Sequence, residues 1–353
     1  MTPVSAKVRL LTGDALGVLR GLAPASVRCC VTSPPYWGLR DYGTEGQIGL
    51  EKTPEEYVAR LVEVFREVRR VLAADGTLWL NLGDSYGACG GPGWQGKNGQ
   101  RADRRFTAVR DSIALRAVSR RSERVKPKDL VGIPWLVAFA LRADGWYLRS
   151  DIIWAKPNPM PESVRDRPTK SHEYLFLLSK SERYYYDAGA IAEPLAPSSI
   201  ERLSQPTLQH QLGSDRVPGK TNGNMKAVPP RRSGNKARDI PSESDGRGIP
   251  NNHMGRGVPW EDDGSGRNAR SVWTIATHPY SGAHFATFPE ELASRCIKAG
   301  SAPRDTVLDP FSGSGTTAAV AVGLGRNAIG IELNPKYQEL ARHRVGPMLC
   351  EVA

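Results

Sequence analysis

Short apolar runs alternate along the chain with longer stretches in which apolar residues recur every three or four positions. Val8–Thr12 and Val27–Thr32 are runs of the first kind. One ends at Gly13-Asp14 and the other at Ser33-Pro34-Pro35-Tyr36, so both read as strands stopped by turn residues. Thr53-Pro54-Glu55-Glu56 then opens a helix, with Thr53 as N-cap, Pro54 at the first turn and Glu56 closing a capping box. Tyr57, Leu61, Val64, Val68 and Val71 give that helix one buried face, and Ala74-Asp75-Gly76 is read as its stop. Thr77–Leu82 predicts the next strand, ending at Gly83-Asp84-Ser85. Leu130–Leu141 is apolar enough for a buried helix, and Trp146–Ala155 and His172–Ser179 read as strands. Strands alternating with helices predict an α/β fold with a mostly parallel sheet covered by helices.

The pattern lapses twice. Residues 87–128 are glycine-rich and then basic, and predict a loop followed by a short basic helical region. Residues 194–271 carry 34 Gly, Pro, Ser or Asn among 78 and show no apolar periodicity, which predicts a long irregular insertion. Strand and helix signals return near Val272 and run to about residue 345. The expected organisation is one domain built from 1–193 and 272–353, interrupted by 194–271.

Composition sharpens this picture. The 353 residues are 39% hydrophobic, enough for a core but low if the whole chain contributed to it. The formal charge is +11, and residues 97–128 hold eleven Lys or Arg against three Asp or Glu. Such a concentration favours a polyanionic partner. Five cysteines without a CxxC support neither a disulfide framework nor a zinc site, and fit a reduced cytoplasmic setting. With no signal-like N-terminus and no apolar run of about 18 residues, the expectation is a soluble protein with no membrane partner.

The C-terminal part carries a strand, a glycine loop and a helix start in Val307-Leu308-Asp309-Pro310-Phe311-Ser312-Gly313-Ser314-Gly315-Thr316-Thr317. Glu332 follows at the end of the next apolar run, where an acid can accept hydrogen bonds from ribose hydroxyls. No Lys follows the glycines, which argues against a phosphate-binding P-loop. The third glycine of a dinucleotide fingerprint is also missing. S-adenosylmethionine is the third candidate: it has no pyrophosphate to cradle, and Asp309 is placed to face its cationic methionine part.

Thr32-Ser33-Pro34-Pro35-Tyr36-Trp37 is the second constellation. Together with the glycine loop it resembles the DNA amino-methyltransferases that carry a [DNS]-P-P-[YFW] catalytic loop. The catalytic loop precedes the cofactor loop, with a variable region between them. This circularly permuted order resembles the beta class of those enzymes. Gly13-Asp14-Ala15, Trp154-Ala155-Lys156-Pro157-Asn158-Pro159 and His284-Phe285-Ala286-Thr287-Phe288-Pro289 match further segments of the family. The resemblance implies a Rossmann-like methyltransferase with a seven-stranded, mostly parallel sheet and an inserted recognition region. It implies S-adenosylmethionine held by Asp14, Thr32, Phe285, Phe288, Asp309, Pro310, Phe311, Gly313, Ser314, Gly315, Thr316 and Glu332, with no metal. Ser33, Pro34, Pro35 and Tyr36 would carry the chemistry.

An exocyclic amine is a poor nucleophile because its lone pair is delocalised into the ring. Two acceptors, the Ser33 hydroxyl and the Pro34 carbonyl, would draw its hydrogens toward tetrahedral geometry. The base would be flipped out of the duplex, with Tyr36 stacking on it; Trp37 fits a second stacking surface or the core equally. The absence of a Pro-Cys dipeptide argues against cytosine C5 chemistry. In the resembled family Ser at the first motif position is commoner among cytosine-N4 enzymes, so the resemblance implies cytosine N4. Adenine N6 methylation, a catalytically silent DNA-binding subunit, and RNA or small-molecule methylation are the alternatives. Double-stranded DNA is the expected partner. Lys97, Arg101, Arg104, Arg105, Arg120, Arg121, Arg231, Arg232 and Lys236 are candidate contacts, and Lys156 and Asn158 fit either a DNA contact or a solvated loop. The resemblance also allows a cognate restriction endonuclease and a homodimer.

Overall fold

The computed structural model describes residues 6–39, 41–87, 125–204, 266–277, 289–346 and 350–351. Contacts divide the chain into two compact units, Met1–Tyr186 with Ser271–Ala353, and Asp187–Arg270.

The larger unit is an α/β sandwich. Its strands are β1 (Val8–Thr12), β2 (Val27–Thr32), β3 (Leu72–Leu82), β4 (Tyr147–Ala155), β5 (His172–Ser179), β6 (Val272–Thr274), β7 (Thr306–Asp309), β8 (Asn327–Glu332) and β9 (Cys350–Glu351). They form one sheet in the order β6-β4-β5-β3-β2-β7-β8-β1-β9. Among the described strands only β5 runs antiparallel, to both β3 and β4. Seven strands were expected and nine are found among the described residues. The two extra ones, β6 and β9, have three and two residues, too short to show periodicity, and extend the sheet at its two edges.

Helices α1 (Ala15–Arg20), α2 (Pro54–Val71) and α3 (Ile133–Ala143) contribute to one buried cluster that includes Leu19, Tyr57, Leu61, Phe65, Val137, Leu78, Leu80 and Phe176. Helix α2 starts with the capping box expected for it: Thr53 accepts from Glu56 N–H, and Glu56 reaches back to Thr53 N–H. At its other end Arg70 donates to the Leu19 and Leu22 carbonyls and so ties down the end of α1. The helix gives way to β3 without the glycine stop that was expected. Leu72 turns extended, and residues 73–76 bulge opposite Arg28, so the register passes from Val27↔Leu72 to Cys29↔Thr77. Helix α3 begins at Ile133 because the Asp84 carboxylate accepts the Gly132 and Ile133 amides, filling the helix's orphan donors. It is buried on one face only, since Leu136 and Phe139 are exposed.

Helices α5 (Glu290–Gly300), α6 (Thr316–Gly323) and α7 (Pro335–Val345) complete the larger unit. Cys29, Cys30 and Cys296 are free and buried, and burial pushes all three thiols up, Cys29 to about 12. Among the described residues no helix is long and apolar enough to cross a membrane.

The smaller unit begins seven residues before the expected boundary, and its described part is not wholly irregular. A short helix, α4 (Pro197–Leu203), stands near its start. Glu193 and Arg267 pair in an antiparallel bridge with reciprocal backbone hydrogen bonds of 2.8 Å. The Glu193 carboxylate also binds the Arg267 and Arg270 guanidinium groups. The segment therefore leaves and returns through a closed neck.

Candidate active site

The parallel strands deliver their carboxyl ends, and the turns that follow, to one edge of the sheet. β2 and β7 are neighbours there; from β7 the sheet continues to β8 on one side, and from β2 to β3 on the other. This is a topological switch point, where open α/β sheets leave a crevice for a ligand.

Asp309 ends β7 and is 2% exposed. Its Oδ1 accepts from the Thr32 hydroxyl at 2.6 Å and from Phe311 N–H at 3.0 Å, and its Oδ2 accepts from Thr317 at 2.8 Å. Burial raises its carboxyl to about 6 against the pull of those three donors. Asp309 thus bolts the β2 turn to the glycine loop. Thr32 serves the same joint.

The two glycines of the loop differ in their surroundings. Gly315 has φ +79°, and a Cβ there would sit 2.8 Å from the Ala341 Cβ, so it is required for conformation and for packing on α7. Gly313 has φ +51°, and a Cβ there would meet nothing within 4 Å, which leaves room for a ligand to approach the backbone. Ser314 and Thr316 were expected to bind cofactor. Both hydroxyls receive Arg344, which also pairs with Glu290, so these side chains hold α7 to the loop. Pro310 is buried and Phe311 packs against the core.

Glu332 ends β8. Each of its oxygens accepts one amide, from Gly313 and from Asn334, both at 2.8 Å, and burial raises its carboxyl. A carboxylate oxygen can accept more than one hydrogen bond, so acceptor capacity remains for ribose hydroxyls. In the next strand, β1, Thr12 pairs with Glu332, and Gly13 N–H donates to the Glu332 carbonyl. The Asp14 side chain caps α1 through Oδ2 on Gly17 N–H and is exposed.

The turn after β2 is pinned from several sides. Tyr57 of α2 donates to the Pro35 carbonyl at 2.8 Å, whereas no described residue bonds the Pro34 carbonyl. Trp37 is buried with its indole N–H on the Glu51 carbonyl, so it belongs to the core. The Tyr36 ring lies against Gly83, where a Cβ would come within 2.5 Å of its Cε2. The Tyr36 hydroxyl is 2.7 Å from Glu173 Oε2 and 3.1 Å from Asn81 Oδ1, and it accepts from the Ser33 hydroxyl at 3.4 Å. Burial and the Glu173 charge raise Tyr36, so it stays a neutral phenol.

Glu173 and Asn81 escaped the sequence reading. Their signal was a polar side chain inside or at the head of an apolar strand, which needs a partner when buried. Lys156 and Asn158 were candidate DNA contacts, and the structure gives them other partners. The Lys156 ammonium binds Glu173 Oε1 and lies 4.3 Å from the centre of the Trp154 ring. Asn158 exchanges two hydrogen bonds with the Thr277 backbone. Phe285, Phe288, Lys97, Arg101, Arg104, Arg105, Arg120, Arg121, Arg231, Arg232 and Lys236 lie outside the described residues.

Fold and site together define an α/β enzyme with a nucleoside-type cofactor crevice beside a rigid Ser-Pro-Pro-Tyr turn. The family of DNA methylases of the N6 and N4 type matches residues 27–343, and the chain belongs to it. Over 336 residues it is 45% identical to the type II methyltransferase M.Cfr9I of Citrobacter freundii, covering 95% of this chain and 87% of that one. It is 43% identical to the type II methyltransferase M.SmaI of Serratia marcescens, covering 96% and 90%. Among solved structures, the PvuII DNA methyltransferase, described as cytosine-N4-specific, superposes with a TM-score of 0.57 at 17% identity, covering 96% of this chain and 86% of that one. At that identity the likeness is one of fold.

Proposed function

We propose that the protein transfers a methyl group from S-adenosylmethionine to the exocyclic N4 of a cytosine flipped out of double-stranded DNA, as the modification enzyme of a type II system. The observation that carries this reading is the orientation of the Ser33 hydroxyl. Its oxygen lies 3.4 Å from the Tyr36 hydroxyl, which can take its hydrogen and leave its lone pairs to a substrate amine. The Pro34 carbonyl supplies a second acceptor on the same rigid turn, and two prolines in succession limit the turn's backbone freedom. Two acceptors aligned in advance favour the tetrahedral amine over the planar one, which is catalysis by orientation and electrostatics. In the resembled enzymes Ser at this position accompanies cytosine N4 more often, and Asp accompanies adenine N6.

The residues at the switch point fit the cofactor. Gly313 leaves the backbone open to it, Glu332 has acceptor capacity for ribose hydroxyls, and one Asp14 oxygen is free to meet an adenine amine. When bound, S-adenosylmethionine supplies an electrophilic methyl group on a sulfonium sulfur. Asp309 holds the cofactor loop and the Ser33 turn at fixed separation. The remaining face of the Tyr36 ring, opposite Gly83, stacks on the extruded base.

The test is a reaction on mixed-sequence duplex DNA with labelled S-adenosylmethionine, digested to nucleosides and read by mass spectrometry. N4-methyldeoxycytidine is expected. N6-methyldeoxyadenosine would move the target to adenine and remove Ser33 as an indicator of the base.

A further inference from the structure

Glu173 heads β5, the one antiparallel strand, and reaches the Ser33 turn because Leu82↔Tyr174 pairing sets the start of β5 beside the end of β3. Its Oε2 takes Tyr36 at 2.7 Å and Asn81 Nδ2 at 3.2 Å, and its Oε1 takes Lys156. Lys170 and His172 also face it electrostatically. Satisfying the Tyr36 hydroxyl does not require this carboxylate, since Asn81 Oδ1 stands within reach at 3.1 Å. Tyr36 has one hydrogen, and the shorter, ionic acceptor takes it. The Tyr36 oxygen then accepts from Ser33, so three groups form a hydrogen-bond chain with a single direction, Ser33 to Tyr36 to Glu173.

We propose that Glu173 is the proton acceptor of the methyl transfer, reached through Tyr36 and Ser33. The proposal rests on the reading that Ser33 meets the substrate amine. The amine nitrogen forms a bond to the methyl carbon as the methyl–sulfur bond breaks and leaves its electron pair on sulfur. The nitrogen is then positively charged and carries one proton too many. That proton passes to Ser33 Oγ, the Ser33 hydrogen to the Tyr36 oxygen, and the Tyr36 hydrogen to Glu173 Oε2. Ser33 and Tyr36 end as they began, Glu173 ends as a neutral carboxylic acid, and Lys156 keeps its charge. Losing the proton restores the nitrogen lone pair to the ring, so a carboxylate is base enough. The 3.4 Å link between Ser33 and Tyr36 is the long step, and it must shorten when substrate binds. Glu173 touches no substrate; it acts as a positioning residue for Ser33 and as the end of the relay.

The test is the single-turnover rate of wild type, Glu173→Gln, Tyr36→Phe and the double variant on one duplex, with cofactor and DNA affinities measured separately. Each single variant is expected to lose about 100-fold or more in rate, the range of proton-transfer catalysis. Affinities should stay within about three-fold, and the double variant should be no slower than the slower single, as expected of groups acting in one chain. A solvent deuterium effect on the wild-type rate should vanish in Tyr36→Phe. Transfer by Glu173→Gln within about three-fold of wild type, or losses that add, overturns the relay. Should Glu173→Gln fail to fold, Tyr36→Phe decides alone, since it deletes a single oxygen. A wild type that methylates adenine overturns only the choice of base, because both amines shed a proton and the same variants still judge the relay. A wild type that methylates no base overturns both proposals.

Discussion

Tyr36 owes its place to a neighbour without a side chain. Gly83 lies so close to the ring that a methyl group would displace it. Gly83→Ala is expected to lower the methyl-transfer rate roughly 10-fold or more, in line with the cost of small misplacements at a reacting centre. Cofactor affinity should be unchanged, because Gly83 follows β3 and β2 stands between it and the cofactor strands β7 and β8; a titration and a single-turnover assay check both parts. Asp309 gives a prediction with a sign. Its folded carboxyl is raised from 3.8 to about 6, so its contribution to stability is full below 3.8 and is lost as pH rises through about 6. Compared with Asp309→Asn, the wild type should therefore gain about 2 kcal/mol on going from pH 8 to pH 4. Thermal midpoints of the two proteins across that range test it, and a wild type that gains relative stability as pH rises would contradict the assignment. At this scale the motif residues were legible because Ser-Pro-Pro-Tyr and the glycine loop are contiguous in sequence. Glu173 and Asn81 were not, because only strand register brings residues 92 positions apart into contact. The carboxylate partner of Lys156 was hidden for the same reason: a lysine beside a loop reads as a DNA contact or a solvated charge until the fold brings up Glu173.

Helix α2 shows how much one element can declare locally. Its cap, its first-turn proline and its buried face were readable residue by residue, and the structure adds Pro54 and Phe65 to the buried residues. Thr53→Ala is expected to cost about 1 kcal/mol of stability, the usual loss of an N-cap, with catalysis intact. A denaturation midpoint and a turnover measurement on the same sample decide it, and an unchanged midpoint would deny the cap any weight. Elsewhere local signals ran out. The end of α2 was assigned to Ala74-Asp75-Gly76, but the burial of Leu72 and the pairing of β3 with β2 convert those residues into a bulge. β6 and β9 exist only because a neighbouring strand offers an open edge, so no pattern within three or two residues could announce them.

At the scale of the molecule, chain order and sheet order tell different stories. The catalytic turn comes early in the chain and the cofactor loop late, yet β2 and β7 lie side by side, and the Thr32–Asp309 hydrogen bond spans 277 positions. The permuted order was legible from the two motifs, and the α/β class from the alternation of strands and helices. The lapse in apolar periodicity over 194–271 falls mostly on residues outside those described; the closed neck at Glu193, Arg267 and Arg270 was not legible, because ion pairs leave no periodic trace. The +11 charge predicts DNA affinity that falls steeply with salt, with a log–log slope set by the number of phosphates neutralised. Binding isotherms at several salt concentrations read that slope directly, and a flat response would exclude phosphate contacts as the main source of affinity. In the proposed function the turn after β2 presents the target amine to the methyl donor held at the switch point. The most direct test of that proposal is the single-turnover methyl-transfer rate of Ser33→Ala, measured on protein whose cofactor and DNA affinities are checked alongside. Affinities should be unchanged and the rate lowered by about 100-fold or more, the cost of removing one oriented polar group from a transition state. Transfer at the wild-type rate would contradict it.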